Sequence, residues 1–387
     1  MSRHSACIVG IGQSDYLKRG LATKSQFQMT GEAILAAAKD AGIAAREIDG
    51  LCSYSNDAND AHLMANMLGM EQLRVASMVW GGGGGGSGGS IALASAAIEA
   101  GYANYVVAYR GLCQGQGRRF GSFNAGRTHA NFVHPFGLFT PAQMLALLVQ
   151  RYMHLYGATD EHLAEIALST RAYANRNPHA VMRDKIMTRD DYFASRIITS
   201  PFRLLDCCLE TDGACAVVLT SLERARDLPG KPVAVLAAAQ GTEGAWGSGP
   251  FGSHNMPDET YVSANQRGLS AELFERAGVT PGDIDVAEIY DHFTGMVLIA
   301  LEDHGFCRRG EAAAFVEDGN IRPSGALPLN THGGNLSEAY MHGMNHIVEG
   351  VRQLRGISPS QVEGAKLAFV AGAPGIAPTS ALILGTL

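Results

Sequence analysis

The chain has 387 residues, of which 46% are hydrophobic and 17% are charged, and its formal net charge at pH 7 is −7. This length is enough for two or three domain-sized units around a sizeable core. The negative charge argues against a surface that binds nucleic acid or anionic membranes. No apolar run reaches transmembrane length, and the N-terminus lacks the apolar stretch of a signal peptide.

The seven cysteines are mostly scattered and include no Cys-x-x-Cys pair. Such a set suits a reducing compartment better than a disulfide framework, so we expect a cytoplasmic protein without a zinc ribbon of its own. Several histidines lie in the C-terminal part, but their spacing fits no standard zinc signature, and we predict no metal site. These histidines are His292, His304, His332, His342 and His346.

Two parts of the chain repeat each other at a constant offset. Residues 40–49 read DAGIAAREID, and residues 276–285 read RAGVTPGDID. Each copy follows a helical stretch, so Gly42 and Gly278 are predicted to be the glycines that end these helices. The repeat indicates two halves of similar structure.

Apolar runs that alternate with the helices predict the strands of both halves, which begin at residues 6–11 and 233–238. A glycine-rich turn followed by a helix occurs at residues 81–101 and again at 333–350, where the second helix is predicted to end at Gly350. Continuous apolar strands between helices predict an α/β fold with a mixed or parallel sheet that is covered on both faces.

The first half is longer than the second because of a stretch at about residues 113–200. It holds a polar segment from Gln114 to Arg127 and a predicted helix from Pro141 to Tyr156. Another helix is predicted from Asp160, as its N-cap, to about Asn175. We interpret the stretch as an insertion over the core that could serve as a substrate lid.

Six consecutive glycines, Gly81 to Gly86, precede Ser87. No Gly-Lys-Ser/Thr follows, so this is not a Walker A loop. A phosphate cradle stays open, but we favour a close-approach turn that enters a buried helix, because glycine's lack of a side chain explains the run. A partial dinucleotide fingerprint at Gly10 and Gly12 lacks its third glycine and carries little weight.

Three cysteines, Cys207, Cys208 and Cys215, flank the segment Thr211–Ala214. A thiol nucleophile needs a nearby base and a polarised, accessible setting. These cysteines stand beside apolar runs, so we expect them to pack as small hydrophobic side chains.

Tyr290, Asp291 and His292 follow a predicted strand at residues 286–289. Active sites of open α/β sheets lie beyond the carboxyl ends of strands. A structural polar cluster and a functional site fit this motif equally well. The loop 330–340, which reads NTHGGNLSEAY, favours a functional site.

Several segments together resemble the thiolase superfamily along nearly the whole chain, above all sterol carrier protein-type thiolases and lipid-transfer-protein-type steroid side-chain aldolases. They are Ile8–Gly12, Pro201–Asp206, Asp212–Ala214, the Tyr290 motif and the loop 330–340. The resemblance implies a thiolase fold, in which two pseudo-symmetric βαβαβαββ halves form a five-layer αβαβα core with an inserted loop domain. We assign residues 1–230 and 231–387 to the halves.

The departures from these thiolases concern their catalytic residues. Where they carry His-Asp-Cys-Phe, this chain has Tyr-Asp-His-Phe from Tyr290, and their Gly-His-Pro histidine corresponds to Tyr340. Their nucleophilic cysteine corresponds to Gly84 or Gly85, and their second catalytic cysteine falls near Ala371. Both cysteines and both histidines are therefore replaced, which indicates a changed mechanism.

Aldolases of this family are known for such a tyrosine pair, so the resemblance implies that Tyr290 and Tyr340 are catalytic. The implied reaction is retro-aldol cleavage of a β-hydroxyacyl-CoA to a ketone and a shortened acyl-CoA such as propionyl-CoA, without an acyl-enzyme and without a cofactor. A phenol is a poor base at neutral pH unless donors or positive charge stabilise the phenolate. We expect His292 and His332 to do so.

CoA enters only as part of the substrate, and we predict its thioester at Gly84, Gly85 and Ser87 and at Gly333 and Gly334. Backbone N–H groups of the first glycine-rich turn could bind the enolate oxygen.

The resemblance also implies a small OB-fold/zinc-ribbon partner protein and a homodimer core, hence a heterotetramer. Two alternatives stay open. One is an acyl-transferring thiolase with Ser87 or Cys113 as its nucleophile, and the other is a non-catalytic subunit that binds acyl-CoA or lipid. The paired tyrosines favour the aldolase.

Overall fold

The computed structural model describes residues 6–116, 133–243, 257 and 261–387. Helices and strands of the first half, without the inserted stretch, are β1 (Ala6–Gln13), β2 (Leu17–Lys18), α1 (Gln26–Ala41), β3 (Gly50–Tyr54), α2 (Ala61–Leu68), β4 (Val75–Val79), α3 (Ser87–Glu99), β5 (Tyr105–Cys113), the strand Thr211–Ser221 and the helix Leu222–Ala225. The inserted stretch adds α4 (Pro141–Tyr156), α5 (Asp160–Ala174), α6 (Arg189–Ala194), β6 (Ile197–Thr199) and β7 (Phe202–Arg203). In chain order, Thr211–Ser221 is β8 and Leu222–Ala225 is α7.

The second half contains β9 (Val233–Gly241), α8 (Arg267–Ala277), β10 (Val286–Ile289), α9 (Thr294–Asp303), α10 (Ala312–Glu317), α11 (Met344–Arg355), β11 (Leu367–Ala371) and β12 (Thr379–Thr386). The division proposed at residues 230 and 231 falls in the connection between α7 and β9.

Ten strands form one mixed sheet in the order β10-β11-β12-β9-β1-β8-β5-β3-β4, with β2 paired to β8. Read from the centre outwards, the first half runs β1, β8, β5, β3, β4, and the second runs β9, β12, β11, β10. A parallel bridge between Ala287 and Leu329 adds a short pairing on the outer edge of β10. This is the position that β4 has beside β3 in the first half. The two halves therefore share one topology and meet where β1 pairs antiparallel with β9.

Helices α3 and α11 form the central layer, since each contacts strands of both halves. Helix α1 covers the outer face of the first half, and α8 covers that of the second. Strand β1 shows the layering, because Ile8 packs in the central core while Cys7 and Val9 pack in the core beneath α1. The chain thus has the αβαβα layers of the thiolase fold.

The repeated glycines have the same role in both halves. Gly42 ends α1 with a φ of 75°, and Gly278 ends α8 with a φ of 70°, as predicted. The predicted helix end at Gly350 is wrong, because α11 begins at Met344, not in the glycine-rich turn, and continues to Arg355. A Cβ on Gly350 would lie 3.2 Å from a methyl group of Val370, so close packing on the sheet explains this glycine.

The inserted helices belong to the body of the protein. Leu145 and Val149 of α4 and Leu163 of α5 are buried in one core with Met296 of α9. The helical part of the insertion therefore packs on the core, and its role as a substrate lid stays a prediction, while residues 117–132 lie outside the described residues. Helix α4 spans its predicted residues, but the N-cap of α5 is Thr159, not Asp160.

No helix among the described residues is both long and apolar enough to cross a membrane.

Candidate active site

Two tyrosines from separate elements meet in the interior of the second half. Tyr290 follows β10, and Tyr340 ends the loop 330–340. The Tyr290 hydroxyl donates a hydrogen bond of 2.9 Å to the Tyr340 hydroxyl, and both rings are buried. We call the site the tyrosine pocket, and it consists of Tyr290, Tyr340, Ala373 and Ile376, with Leu112 and Cys208 packed against them.

The two phenols differ in their electrostatic surroundings. Burial raises the pKa of both well above the ordinary value, and the nearby Cys208 raises it further. For Tyr340, the hydrogen bond from Tyr290 and the positive charge of Arg110 act in the opposite direction and lower the pKa. For Tyr290, the neighbouring Tyr340 raises the pKa. A negative charge is therefore held better on the Tyr340 oxygen.

The carboxylate of Asp291 holds the loop that carries Tyr340. It accepts the backbone N–H of Asn335 at 2.6 Å and that of Leu336 at 3.2 Å. At Gly334, where φ is 54°, a Cβ would lie 2.1 Å from Asp291 Oδ2. At Gly333, a Cβ would lie 2.6 Å from Ala174 Cβ. Packing thus explains both glycines, and their contact with CoA stays a prediction.

The glycine-rich turn at Gly83–Gly86 brings backbone against the tyrosines before α3 begins. A Cβ on Gly83 would lie 3.5 Å from the Tyr290 hydroxyl, and one on Gly84 would lie 2.1 Å from Cε2 of the same ring. A Cβ on Gly85 would lie 2.3 Å from the Pro378 oxygen. The close-approach interpretation is therefore correct, and the Tyr290 ring occupies the space that a side chain at position 84 would need.

The alternative nucleophiles do not face the tyrosines in a reactive arrangement. Ser87 is buried, and its hydroxyl donates to the Gly84 carbonyl at 2.9 Å. Cys113 belongs to the outer core beneath α1, where burial and Asp212 raise its pKa.

Cys208 is closer to the chemistry than the sequence indicated. We expected a pocket without a thiol, whereas Cys208 packs against the tyrosine pair. Burial, Cys207, Asp291 and Glu210 raise its pKa well above the ordinary value, and no hydrogen bond joins it to the ring of His292. The thiol is therefore protonated and is not activated by the His292 imidazole, unlike the cysteine nucleophile of a Cys–His pair.

His332 does not contact the tyrosines, contrary to its predicted role. Its Nδ1 lies 2.9 Å from Glu288 Oε2, and its Nε2 lies 3.5 Å from Glu338 Oε2. Burial lowers the pKa of His332, but Glu338 and Glu288 outweigh this effect and raise the pKa to about 9. Together with Glu349 and Arg352 these residues form what we call the charged cluster.

The imidazole that lies between the pocket and the charged cluster is His346. Its ring stacks on Tyr290 with centroids 6.0 Å apart and meets the ring of His332 at 4.7 Å. Its Nε2 lies 3.2 Å from Asp291 Oδ1. His346 thus takes the place next to the tyrosine pair that we predicted for His332.

Two further histidines border the tyrosines as neutral imidazoles. The ring centroid of His292 lies 5.3 Å from that of Tyr290, and burial lowers its pKa to about 3. The ring centroid of His342 lies 4.9 Å from that of Tyr340, and burial and Arg110 lower its pKa well below the ordinary value. Neither imidazole is therefore positively charged, and stabilisation of a phenolate by His292 stays a prediction.

Sequence reasoning missed His346, His342, the proximity of Cys208, and Arg110. The first three carried no local signal, because each becomes adjacent to the tyrosines only through the fold. Arg110 did give a local signal, because it is a charged residue inside the apolar strand β5. Among the described residues, no group of three or more His, Cys, Asp or Glu side chains is arranged to hold a metal ion.

Comparison with known proteins connects this arrangement to a family. Residues 251–386 match the family described as thiolase C-terminal domain-like. A 17-hydroxy-3-oxo-4-pregnene-20-carboxyl-CoA lyase of Mycobacterium tuberculosis is 42% identical over 98% of this chain and 99% of that protein. A steroid side-chain-cleaving aldolase of Thermomonospora curvata is 41% identical over 98% of each chain.

A solved structure described as Ltp2-ChsH2(DUF35) aldolase has the same fold, with a TM-score of 0.90 and 39% sequence identity. The match covers 100% of this chain and 98% of that one. The chain therefore belongs to the thiolase superfamily and, within it, to the carbon–carbon lyases (aldolases) of thiolase fold.

Proposed function

We propose that the protein cleaves a β-hydroxyacyl-CoA by a retro-aldol reaction that the two tyrosines carry out without an acyl-enzyme. The observation that carries this proposal is the 2.9 Å hydrogen bond between the buried hydroxyls of Tyr290 and Tyr340. Two facing hydroxyls suit a reaction that needs one base and one acid at neighbouring atoms. The thiol described beside them, that of Cys208, has a raised pKa and no hydrogen bond to the His292 ring.

The substrate we propose is a steroid side-chain CoA thioester. The Mycobacterium tuberculosis relative is named as a lyase of a 17-hydroxy steroid with a 20-carboxyl-CoA group. In such a molecule the hydroxyl stands on the carbon β to the thioester, which is the arrangement a retro-aldol cleavage requires. Cleavage of the bond between carbons 17 and 20 leaves a ketone on the ring and releases propionyl-CoA.

The bond changes require two proton transfers. The Tyr340 phenolate takes the proton of the β-hydroxyl, the oxygen electrons form the ketone, and the carbon–carbon bond electrons pass into the thioester enolate. Tyr290 then protonates the α-carbon of the enolate. We assign the base role to Tyr340 because the hydrogen bond from Tyr290 and the charge of Arg110 partly offset the rise in its pKa that burial causes.

The same hydrogen bond returns the pair to its starting state. After one turnover Tyr340 is a phenol and Tyr290 is a phenolate, so a proton moving from Tyr340 to Tyr290 restores both. No external acid, base or cofactor is needed for the balance. Backbone N–H groups of the glycine-rich turn, where Gly83 faces both hydroxyls, are our candidates for binding the enolate oxygen.

We further propose a small OB-fold/zinc-ribbon partner and a heterotetramer built on a homodimer of this chain. The solved Ltp2-ChsH2(DUF35) aldolase supports a partner of the DUF35 class. All seven cysteines are free thiols, which supports the reducing cytoplasm as its compartment.

Turnover in D₂O tests the proposed function. The protein, co-purified with a DUF35-type partner, is incubated with 17-hydroxy-3-oxo-4-pregnene-20-carboxyl-CoA, and the products are followed by mass spectrometry. We expect the 17-ketone and propionyl-CoA carrying one deuterium on its α-carbon, and no change in the intact mass of the protein. An acyl adduct on the protein would instead support an acyltransferase, and tight binding without any ketone would support a binding subunit.

A further inference from the structure

A buried arginine lies beside the tyrosine pocket without any assigned role. Arg110 is only 3% exposed. Residues two apart on a strand face the same side, and Leu112, two residues along β5, packs against Tyr290 and Tyr340. The Arg110 side chain therefore stands on the face of β5 that is directed towards the tyrosine pocket.

The guanidinium of Arg110 forms a buried ion pair with Asp57. Its Nη1 donates to the Tyr54 carbonyl at 2.6 Å and lies 3.4 Å from Asp57 Oδ2. The Asp57 carboxylate also accepts the backbone N–H of Gly111 at 3.0 Å and that of Asn59 at 2.8 Å. Among the described residues, Arg110 Nε has no hydrogen-bond partner. Because the protein interior screens charge less than water does, this buried cation acts on groups beyond its direct partner.

Tyr54 connects this charge to the loop of the second tyrosine. The Arg110 guanidinium carbon lies 5.5 Å from the centre of the Tyr54 ring. The Tyr54 hydroxyl donates to the backbone carbonyl of His342 at 2.8 Å, and His342 packs its ring against Tyr340. Arg110, Tyr54 and the end of the 330–340 loop are thus held together as one rigid unit.

The titratable groups that face Tyr340 come from several elements. Cys208, before β8, raises its pKa, and Tyr290, after β10, lowers it by donating a hydrogen bond. His342 is neutral because its pKa is lowered. Arg110 on β5 contributes the positive charge.

We propose that Arg110 stabilises negative charge on the Tyr340 oxygen and thereby makes Tyr340, not Tyr290, the base of the cleavage. The proposal rests on the function proposed above and names the residue that selects between the two phenols. Arg110 acts through Tyr340 and does not itself touch the substrate, so it is a positioning residue whose contribution is electrostatic.

A titration that does not depend on turnover tests the charge effect. With Tyr340→3-nitrotyrosine, the phenol titrates in an accessible range and changes colour, so its pKa is measured by absorbance. We expect Arg110→Met to raise this pKa by about one to two units, because a nearby positive charge is lost. Arg110→Lys keeps the charge and should raise it much less. An unchanged pKa in Arg110→Met would overturn the proposal.

The pH dependence of kcat/KM, measured with Tyr340 intact, tests the catalytic consequence. At pH 8 we expect Arg110→Met to lower kcat/KM about tenfold to a hundredfold, as a displacement of the profile to higher pH. Arg110→Lys should recover most of the loss. The control Arg110→Met/Asp57→Asn removes both charges. It therefore leaves no unpaired carboxylate at position 57, but Tyr340 still lacks the stabilising positive charge.

The outcomes separate a structural role from an electrostatic one. Equal loss at every pH, or normal kcat/KM in the double variant, contradicts the proposal, and thermal unfolding shows whether each variant is folded. If the unsubstituted protein forms no ketone, the proposed function fails, whereas the nitrophenol titration still decides whether Arg110 acts on Tyr340.

Discussion

Two buried polar groups of residues meet at the end of β10, and they are built in different ways. In the tyrosine pocket, the hydroxyls of Tyr290 and Tyr340 bond to each other and border Gly83. In the charged cluster, both ring nitrogens of His332 face the carboxylates of Glu288 and Glu338. In the first group two hydroxyls form a hydrogen bond with each other, whereas in the second group the charged side chains form ion pairs that hold the loop 330–340.

The comparison teaches which titratable residues of one motif are suited to chemistry. Buried ion pairs with partners on several sides fix local structure, and removal of one partner is costly. A hydroxyl pair that is not tied into an ion-pair network can exchange a proton at little structural cost. Four predictions test this division, beginning with the largest expected effect.

Removal of either phenol should abolish catalysis but leave the fold intact. Tyr340→Phe should lower kcat about 10²–10⁴-fold because the base is lost, and Tyr290→Phe should lower it comparably because the proton donor is lost. Ketone release measures the effect. The matched control is Tyr109→Phe on β5, whose ring packs in the outer core away from the pocket. Near-normal turnover in both pocket variants would contradict the proposed mechanism.

A side chain at position 84 should break the pocket by displacing one ring. In Gly84→Ala the new Cβ would overlap the Tyr290 ring, since Cε2 lies 2.1 Å away. We expect kcat to fall about tenfold to a hundredfold through misplacement of the hydroxyl, with a loss of stability of about 1–3 kcal/mol. Gly241→Ala is the control, because among the described residues no atom outside its chain neighbours lies within 4 Å of the added Cβ. Equal effects of the two substitutions would show that position 84 is not special.

Loss of the charged cluster should show mainly in stability and in its pH dependence. The folded pKa of His332 is raised from 6.5 to about 9. Its contribution is therefore complete below about pH 6.5 and is lost as the pH rises through about 9, with a magnitude on the order of 3 kcal/mol. Denaturant unfolding of the wild type and His332→Asn measures it.

The difference between these two proteins should be largest near pH 6 and should shrink towards pH 9. Tyr173→Phe is a suitable control, because it removes only the hydrogen bond from the Tyr173 hydroxyl to the Ile321 carbonyl. A difference that is constant over this range would mean that His332 is not a charged partner of Glu288.

The smallest effect is expected for the thiol beside the tyrosines. Cys208→Ala should keep kcat within about threefold, because a protonated thiol takes no part in a retro-aldol cleavage. Product formation and intact protein mass measure this. A loss as large as that of Tyr340→Phe would restore a sulfur nucleophile as the better explanation.

Much of the fold could be predicted because its signals are local. Apolar strand runs and the glycines at positions 42 and 278 mark the elements of both halves. Gly350 shows where local patterns fail, since a glycine inside a helix resembles a helix end unless its contact with Val370 is known. The packing of the inserted helices could not be predicted for a similar reason, because their apolar faces do not reveal that they contact α9.

The candidate site likewise has features that the sequence predicted and features that it did not. The replacement of two histidines by Tyr290 and Tyr340, and of a cysteine by glycine, was visible in the motifs and predicted a different mechanism. The partners of these tyrosines were not visible. His332 was placed beside them because it shares a loop with Tyr340, whereas the fold directs its ring towards Glu288 and brings His346 to Tyr290.

The sequence by itself determined the two-fold repeat, the thiolase-like halves and the exchange of thiol and imidazole for two phenols, because these follow from spacing and residue type along the chain. Only the tertiary structure decided that the hydroxyls meet at 2.9 Å, that Cys208 borders them and that the charge of Arg110 acts on Tyr340. The reason is that electrostatic effects depend on distances in space and on burial, and residues such as Arg110 and Tyr340 become neighbours only when β5 and the 330–340 loop pack together.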